Sequence, residues 1–244
     1  MDRVGKRRGV AFLLVALALA CALAGLAGCA GDGGKGTAAN GTLRVGVRSD
    51  VVGFGYLNED TGKYYGLEID IANELAERLG YADVEFVTVL PENRKDLLQN
   101  GEVDCLIACY SIAESREKNF DFSPAYYEDS SIMMVENSSL VASIEGLKGG
   151  TIATMSGANT APQLAQRLTD VGFTSGEVVS QTEDHAETVF DTFRLVQLDS
   201  YRDLSRALEE GTVDAACMDG SIAHTYLNDN RSVLSFKIAT QSYG

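Results

Sequence analysis

Twice in this chain a helix-like stretch stops at a glycine and runs through Val-Asp into an apolar strand. The two copies are LLQNGEVDCLIAC at residues 97–109 and ALEEGTVDAACMD at 207–219. The surrounding sequence extends the same alternation. TLRVGVR, VEFVTVL, TIATM and FRLVQL read as strands. GLEIDIANELAERLG reads as a helix, with Leu67, Ile71, Leu75 and Leu79 spaced by four and Gly80 as its stop. PENRKDLLQNG, NTAPQLAQRL, SYRDLSRALEEG and SIAHTYL read as further helices. Strands alternating with helices predict βαβ units and a mostly parallel sheet. The cycle is interrupted by AYYEDSSIMMVE, a long extended run, and restarts after it. Two α/β lobes joined through residues 125–136 are therefore expected, lobe 1 over 42–128 and lobe 2 over 129–235. Residues 172–193 are mainly polar and read as an insertion on lobe 2, and 236–244 begin the return to lobe 1.

The first 28 residues read as an address label. MDRVGKRRG is basic, VAFLLVALALACALAG is apolar over roughly the length of a signal peptide, and Leu26-Ala27-Gly28-Cys29 follows. The last four residues look like a bacterial lipobox, in which Cys29 is lipidated and becomes the mature N-terminus. Residues 29–41 are Gly/Ala-rich, as a flexible tether would be. The expected protein is thus extracytoplasmic and lipid-anchored to the cell membrane.

Charge narrows the partners. The chain carries −15 overall, and residues 1–28 hold Arg3, Lys6, Arg7 and Arg8 against Asp2, a net +3. The part from Cys29 onward therefore carries −18, which argues against nucleic acid, whose phosphates require clustered Lys and Arg. Cys105, Cys109 and Cys217 sit in apolar runs with no CxxC spacing and no His nearby, so buried free thiols are expected and neither a metal site nor a cofactor is.

In open α/β sheets ligands gather at the carboxyl ends of strands. Ser111 and Arg116 follow the VDCLIACY strand there, and a guanidinium can grip a carboxylate with two charge-assisted bonds. Pairing of Arg116 with Glu114, Glu117 or Asp121 is the ordinary alternative. Ser156-Gly157-Ala158-Asn159-Thr160 follows TIATM and opens a helix, either as a plain cap or as a set of free N–H groups for an anion. Asp219 ends VDAACM, where it reads as a helix N-cap or as an exposed carboxylate able to hold an ammonium. Arg48 ends the first strand and Arg94 sits early in the helix PENRKDLLQNG, and taken singly each reads as a surface charge.

These motifs together resemble a known family. LRVGVRSDVVGFGYLNEDTGKYYGLEIDIANELAERLG, NRKDLLQNGEVDCLIACYSIAESREKNFDFSPAYYED, LKGGTIATMSGANT and ALEEGTVDAACMDGSIA are similar, in order and spacing, to the bacterial extracellular solute-binding proteins of family 3. These are receptors of polar amino acid ABC transporters. The resemblance implies a type II periplasmic-binding-protein fold, two α/β lobes joined by a hinge, and a monomer that serves the permease subunits of a transporter. It implies that Arg116 grips an α-carboxylate, helped by Ser111, by the helix start at Ala158 and Asn159 and by the position of Cys109. Asp219 would hold the α-ammonium. Arg48 and Arg94 match arginines that contact the ligand in glutamate/aspartate receptors, so an acidic amino acid is favoured, with neutral or amide ligands open. Val51 stands where many relatives place a stacking aromatic. Cys109 replaces a glycine or hydroxyl, and Ala158-Asn159 replaces a hydroxyl pair. Relatives continue beyond SFKIATQSYG with about a helix pair and a strand, so the C-terminal part of lobe 1 is expected to be missing. A dehydratase of the cyclohexadienyl type on the same fold would need a buried general acid, for which Glu92 or Glu114 are candidates. An amino-acid sensor module is the other alternative.

Overall fold

The computed structural model describes residues 41–244; the leader, the lipobox at Cys29 and the tether up to residue 40 lie outside the described residues. The first sheet is built from β1 (Thr42–Val47). The chain then forms a small antiparallel meander, β2 (Asp50–Val51), β3 (Gly55–Asn58) and β4 (Lys63–Tyr65), before helix α1 (Leu67–Leu79). β5 (Asp83–Thr88), α2 (Arg94–Gln99), β6 (Cys105–Ile107) and the single turn α3 (Glu114–Glu117) follow. β1 lies between β5 and β6, parallel to both, with Val45 opposite Phe86 on one side and Cys105 on the other.

Helix α1 covers this sheet, but not with the stripe that its leucines suggest. Its buried residues are Glu68, Ile69, Ala72 and Ala76, the last three packed with Leu43, Val45, Val47 and Ile107. Leu67 and Leu79 are exposed. The reason is geometric: at 3.6 residues per turn, each step of four overshoots by about 40°. Leu67 and Leu79, three steps apart, therefore cannot share a face. Ile71 and Leu75 instead line an apolar cavity of about 340 Å³ with Leu98, Phe120 and Phe122. Gly80 ends the helix in the left-handed conformation that favours glycine, its N–H returning to Ala76 and Glu77.

The second sheet has eight strands. β7 (Tyr127–Glu136) enters it, followed by β8 (Thr151–Met155), α4 (Thr160–Asp170), β9 (Val178–Gln181), β10 (Glu187–Phe190), β11 (Arg194–Leu198), α5 (Tyr201–Glu209), β12 (Ala215–Asp219), the single turn α6 (Gly220–Ala223), β13 (Arg231–Val233) and β14 (Thr240–Tyr243). The strand order is β13-β7-β12-β8-β11-β10-β9, with β14 also on β7. Only β12, β8 and β11 are mutually parallel; β7, β13, β14 and the β9–β10 hairpin are antiparallel to their neighbours, so the sheet is mixed. The polar stretch 172–193 contributes that hairpin, whose outer strand β9 is exposed throughout. The helix read at SIAHTYL is confined to residues 220–223.

Every residue of β12 is buried, with one apolar cluster on each side of the sheet. Leu164 and Leu168 of α4 cover one side, and Leu204 and Leu208 of α5 cover the other. Two connections tie the sheets together. The chain passes from the first to the second through Tyr126 into β7. β14 returns, with Ile112 N–H donating to Ser242 O at 2.8 Å and Tyr126 N–H to Tyr243 O at 2.9 Å.

Candidate ligand-binding site

Beyond β6 the chain turns at Cys109, whose φ of 47° lies in the left-handed region that disfavours a side-chain-bearing residue. Two groups hold the turn. Cys109 N–H donates to Glu68 Oε1 at 2.5 Å, and Arg94 Nη1 donates to Ala108 O at 2.6 Å and Cys109 O at 3.5 Å. Glu68 also accepts from the Tyr126 hydroxyl at 2.6 Å. It is fully buried in the first turn of α1, and burial pushes its carboxyl above the usual carboxylate range against the pull of those bonds. Its second oxygen, Oε2, is buried without a partner among the described residues.

The next residue, Tyr110, serves as a platform for two cations. The Arg94 and Arg116 guanidinium carbons lie 4.1 and 4.4 Å from its ring centroid, close enough for attraction by the ring quadrupole. Arg116 Nη1 donates to Ser111 O at 2.8 Å, which ties the two residues into one loop. Neither guanidinium has a carboxylate within ion-pair distance among the described residues, so Arg116 does not pair with Glu114, Glu117 or Asp121. Arg94 Nε is buried with no partner among the described residues. Burial, reinforced by repulsion from Arg116 and Arg48, pushes Arg94 down to about 10, and burial lowers Arg116. Arg94 is thus no surface charge but a desolvated one.

Asp219 supplies the opposing charge. It is buried at the end of β12 rather than exposed, and although it precedes α6 its side chain makes no cap bond. Its Oδ1 accepts from Ser131 Oγ at 2.8 Å and its Oδ2 from the Tyr243 hydroxyl at 2.7 Å. Burial raises its pKa while these two bonds lower it, and it draws on both free arginines: Arg94 pulls its pKa down, and Asp219 supports the charge on Arg116. Tyr243 stacks on Tyr127 at 6.0 Å and meets Phe54 edge-on at 5.9 Å. An isolated bridge joins its backbone to Ser111, which is itself buried.

The remaining candidates are placed less centrally. Arg48 is buried, but its fork is taken by Asp50, Nε to Oδ1 at 2.9 Å and Nη2 to Oδ2 at 2.8 Å, so it enters as half of an ion pair rather than as a free cation. Its guanidinium lies 5.5 Å from the Tyr201 ring centroid. Ala158 packs, half-buried, against the cluster that holds Val51, Phe54 and Cys109, and its N–H donates to Met155 O at 3.3 Å. Asn159 sits before α4 without a side-chain cap bond, and lines a surface groove with Pro162, Gln163 and Ile238 in which none of the arginines 48, 94 and 116 takes part. The structure therefore gathers Arg94, Cys109, Ser111, Arg116 and Asp219 around Tyr110 and Tyr243, and leaves Asn159 outside.

Residues 43–171, more than half of the chain, match the model of the bacterial extracellular solute-binding proteins, family 3. The chain belongs to that family. Similar to this solute-binding protein are the glutamine-binding protein of Geobacillus stearothermophilus, 29% identical over 98% of this chain and 93% of that one, and the glutamate-binding protein GluB of Corynebacterium efficiens, 30% identical over 80% of this chain and 62% of that one. Its fold is that of the type II periplasmic binding proteins. The holo form of ArgBP from T. maritima superposes with a TM-score of 0.68, covering 84% of this chain and 81% of that one at 24% identity.

Glu92 and Glu114, the candidate general acids, are both exposed. No group of three or more His, Cys, Asp or Glu able to hold a metal occurs among the described residues. Cys109 and Cys217 are buried free thiols, whereas Cys105 is only half-buried. Glu68, Tyr110 and Tyr243 escaped the sequence reading. The signal for Glu68 was faint, a lone acid beside Ile69 on the side of α1 that faces the sheet.

Proposed function

We propose that this solute-binding protein captures an acidic amino acid, glutamate or aspartate, between its two lobes and hands it to the permease of an ABC importer while tethered to the membrane by lipid on Cys29. The observation that carries the reading is the pair of guanidinium groups, Arg94 and Arg116, that share the Tyr110 ring without a carboxylate partner and lie in the field of a buried Asp219. An amino acid offers that arrangement its complement. Arg116 with Ser111 takes the α-carboxylate, Asp219 takes the α-ammonium, and Arg94 remains for a side-chain carboxylate. Charge-assisted bonds of this kind contribute about 1.5–3 kcal/mol each.

A glutamine ligand is the second reading. It is favoured by the Arg48–Asp50 ion pair, which removes one of the three expected cations, and by the glutamine-binding protein among the relatives. Calorimetry of the mature protein against the amino acids separates the two. Tightest binding of L-glutamate or L-aspartate upholds the first, tightest binding of L-glutamine replaces it with the second, and turnover of prephenate or arogenate overturns both. The tether is tested by labelling with a fatty acid, which is incorporated by the wild type and not by Cys29→Ser.

A further inference from the structure

At Gly157 the turn between β8 and α4 meets the first lobe backbone to backbone. A Cβ added there would lie 2.7 Å from the Glu92 nitrogen, 2.7 Å from the Pro91 carbonyl carbon and 2.8 Å from the Glu92 Cα. None of these atoms belongs to a flexible side chain that could move aside. Both turns are also fixed from within their own lobes. The Leu90 N–H donates to Asn93 Oδ1 at 2.8 Å and Arg94 N–H to Leu90 O at 3.0 Å, which sets the Pro91–Asn93 loop directly ahead of Arg94. On the other side Ser156 N–H donates to Leu198 O at 2.9 Å, and Gly157 itself has a φ of 69°. The contact lies beside the site: Pro91, Glu92 and Gly157 share a cavity of about 260 Å³ with Lys95, Tyr110 and Arg116.

We infer that Gly157 sets how far the two lobes shut, the missing side chain allowing the Pro91–Glu92 backbone to come down on it, and that any side chain at 157 props the cleft open and weakens ligand binding. The inference rests on the amino-acid-binding reading above. A methyl carbon needs about 3.5–4 Å to a carbon neighbour, so it would hold these backbones roughly 1 Å further apart. Hydrogen bonds at 2.8 Å stretched by that amount are no longer hydrogen bonds. A ligand gripped by Arg116 on one lobe and Asp219 on the other would keep one grip and lose the other. The loss is then specific to the bound, closed state and leaves the fold of each lobe alone.

The test uses the mature protein, with L-glutamate and L-glutamine as probes, read by calorimetry and by the change in radius of gyration in small-angle scattering. Gly157→Ala introduces both the clash and left-handed strain. Gly157→Asn introduces the clash in a residue that tolerates that conformation. Gly172→Ala is the control for strain alone, since Gly172 has a φ of 71° and a Cβ there meets nothing within 4 Å. Both Gly157 variants are expected to bind at least tenfold more weakly and to compact less on adding ligand, while Gly172→Ala binds and compacts like the wild type. Wild-type affinity in Gly157→Ala and Gly157→Asn, or equal weakening by Gly172→Ala, overturns the inference. If the Gly157 variants do not fold, amide exchange in the wild type decides it: saturation with ligand should protect the Glu92 amide, and unchanged exchange there overturns it. Absence of any amino acid binding to the wild type has a different meaning, since it removes the functional reading on which the inference stands.

Discussion

The Tyr243 hydroxyl donates to Asp219 Oδ2 at 2.7 Å, so the strand that returns toward the first lobe is bonded to a buried carboxylate of the second that supports the charge on Arg116. The two residues are also linked indirectly, because Gln241, two positions before Tyr243, donates to Ser131 Oγ, whose hydroxyl serves Asp219. A ligand ammonium at Asp219 would have to share or displace the tyrosine. Tyr243→Phe should therefore destabilise the ligand-free protein by about 1–3 kcal/mol, the usual cost of a buried acceptor left unpaired. It should cost the bound protein less, since the ammonium supplies the missing donor. Melting temperatures with and without ligand check this: the ligand-induced rise should be larger in Tyr243→Phe, and an equal rise would mean that the ligand does not reach Asp219.

Arg116 and Arg94 are expected to fail differently. Among the described residues the Arg116 side chain hydrogen-bonds only to the Ser111 carbonyl, so Arg116→Ala should leave the melting temperature almost unchanged and lower affinity for every amino acid by about 100-fold or more, two lost charge-assisted bonds at roughly 1.4 kcal/mol per tenfold. Arg94 also braces the carbonyls of Ala108 and Cys109. Arg94→Ala should accordingly destabilise the protein and weaken all ligands, but glutamate more than glutamine. The ratio of the two dissociation constants, measured by calorimetry, is the informative quantity, and an unchanged ratio removes Arg94 from side-chain recognition.

Much of this could be read from the sequence where the signals are local. Gly80 marks a helix end because its left-handed C-cap is a property of the residue itself, and the Ser111–Arg116 pair is legible because it spans five positions of one loop. The meander β2–β4 was not, since strands of two to four residues carry too little alternation to distinguish them from a loop. Glu68 and Tyr243 were hidden for another reason. An acid in a helix and a tyrosine in a strand both read as ordinary surface residues until the fold brings the turn at Cys109 to one and Asp219 to the other, 41 and 24 positions away. The fate of Arg48 was settled by Asp50, two residues on, yet nothing in the sequence distinguishes that pairing from a free strand-end cation.

The three cysteines of the described region should all be slow to react, Cys105 the least so. Burial pushes the Cys109 and Cys217 thiols well up, and burial, aided by the nearby Asp104 charge, pushes Cys105 to about 11. Since only the thiolate reacts, alkylation of the native protein at pH 8 should leave Cys109 and Cys217 unmodified and modify half-buried Cys105 only slowly, whereas denaturant should expose all three. Peptide mass spectrometry reads this directly. Rapid labelling of Cys109 in the native protein would mean that the turn it occupies opens in solution.

Glu68 gives the protein a pH dependence of predictable sign. Burial is the largest influence on its carboxyl and raises its pKa in the folded state, with Tyr126 and Cys109 opposing. The unfolded chain should titrate this group near the ordinary value of about 4.3. Between that value and the raised one the folded protein holds the proton more tightly, so folding stability from this group grows as pH falls through the raised value and is lost again as pH climbs back. Asp219, also raised by burial, acts in the same direction. Relief of the net negative charge does so too, so the wild-type slope alone cannot identify the residue. Glu68→Gln can, because the amide oxygen still accepts from Cys109 and Tyr126 while the titration disappears. Its melting temperature should change less between pH 7 and pH 5 than that of the wild type, and at pH 7 it should match or exceed it, no charge having to be buried. A variant that keeps the full wild-type slope would assign the pH dependence to Asp219 and the surface, and one that unfolds at every pH would make the Glu68 charge, rather than its oxygen, what holds the left-handed turn.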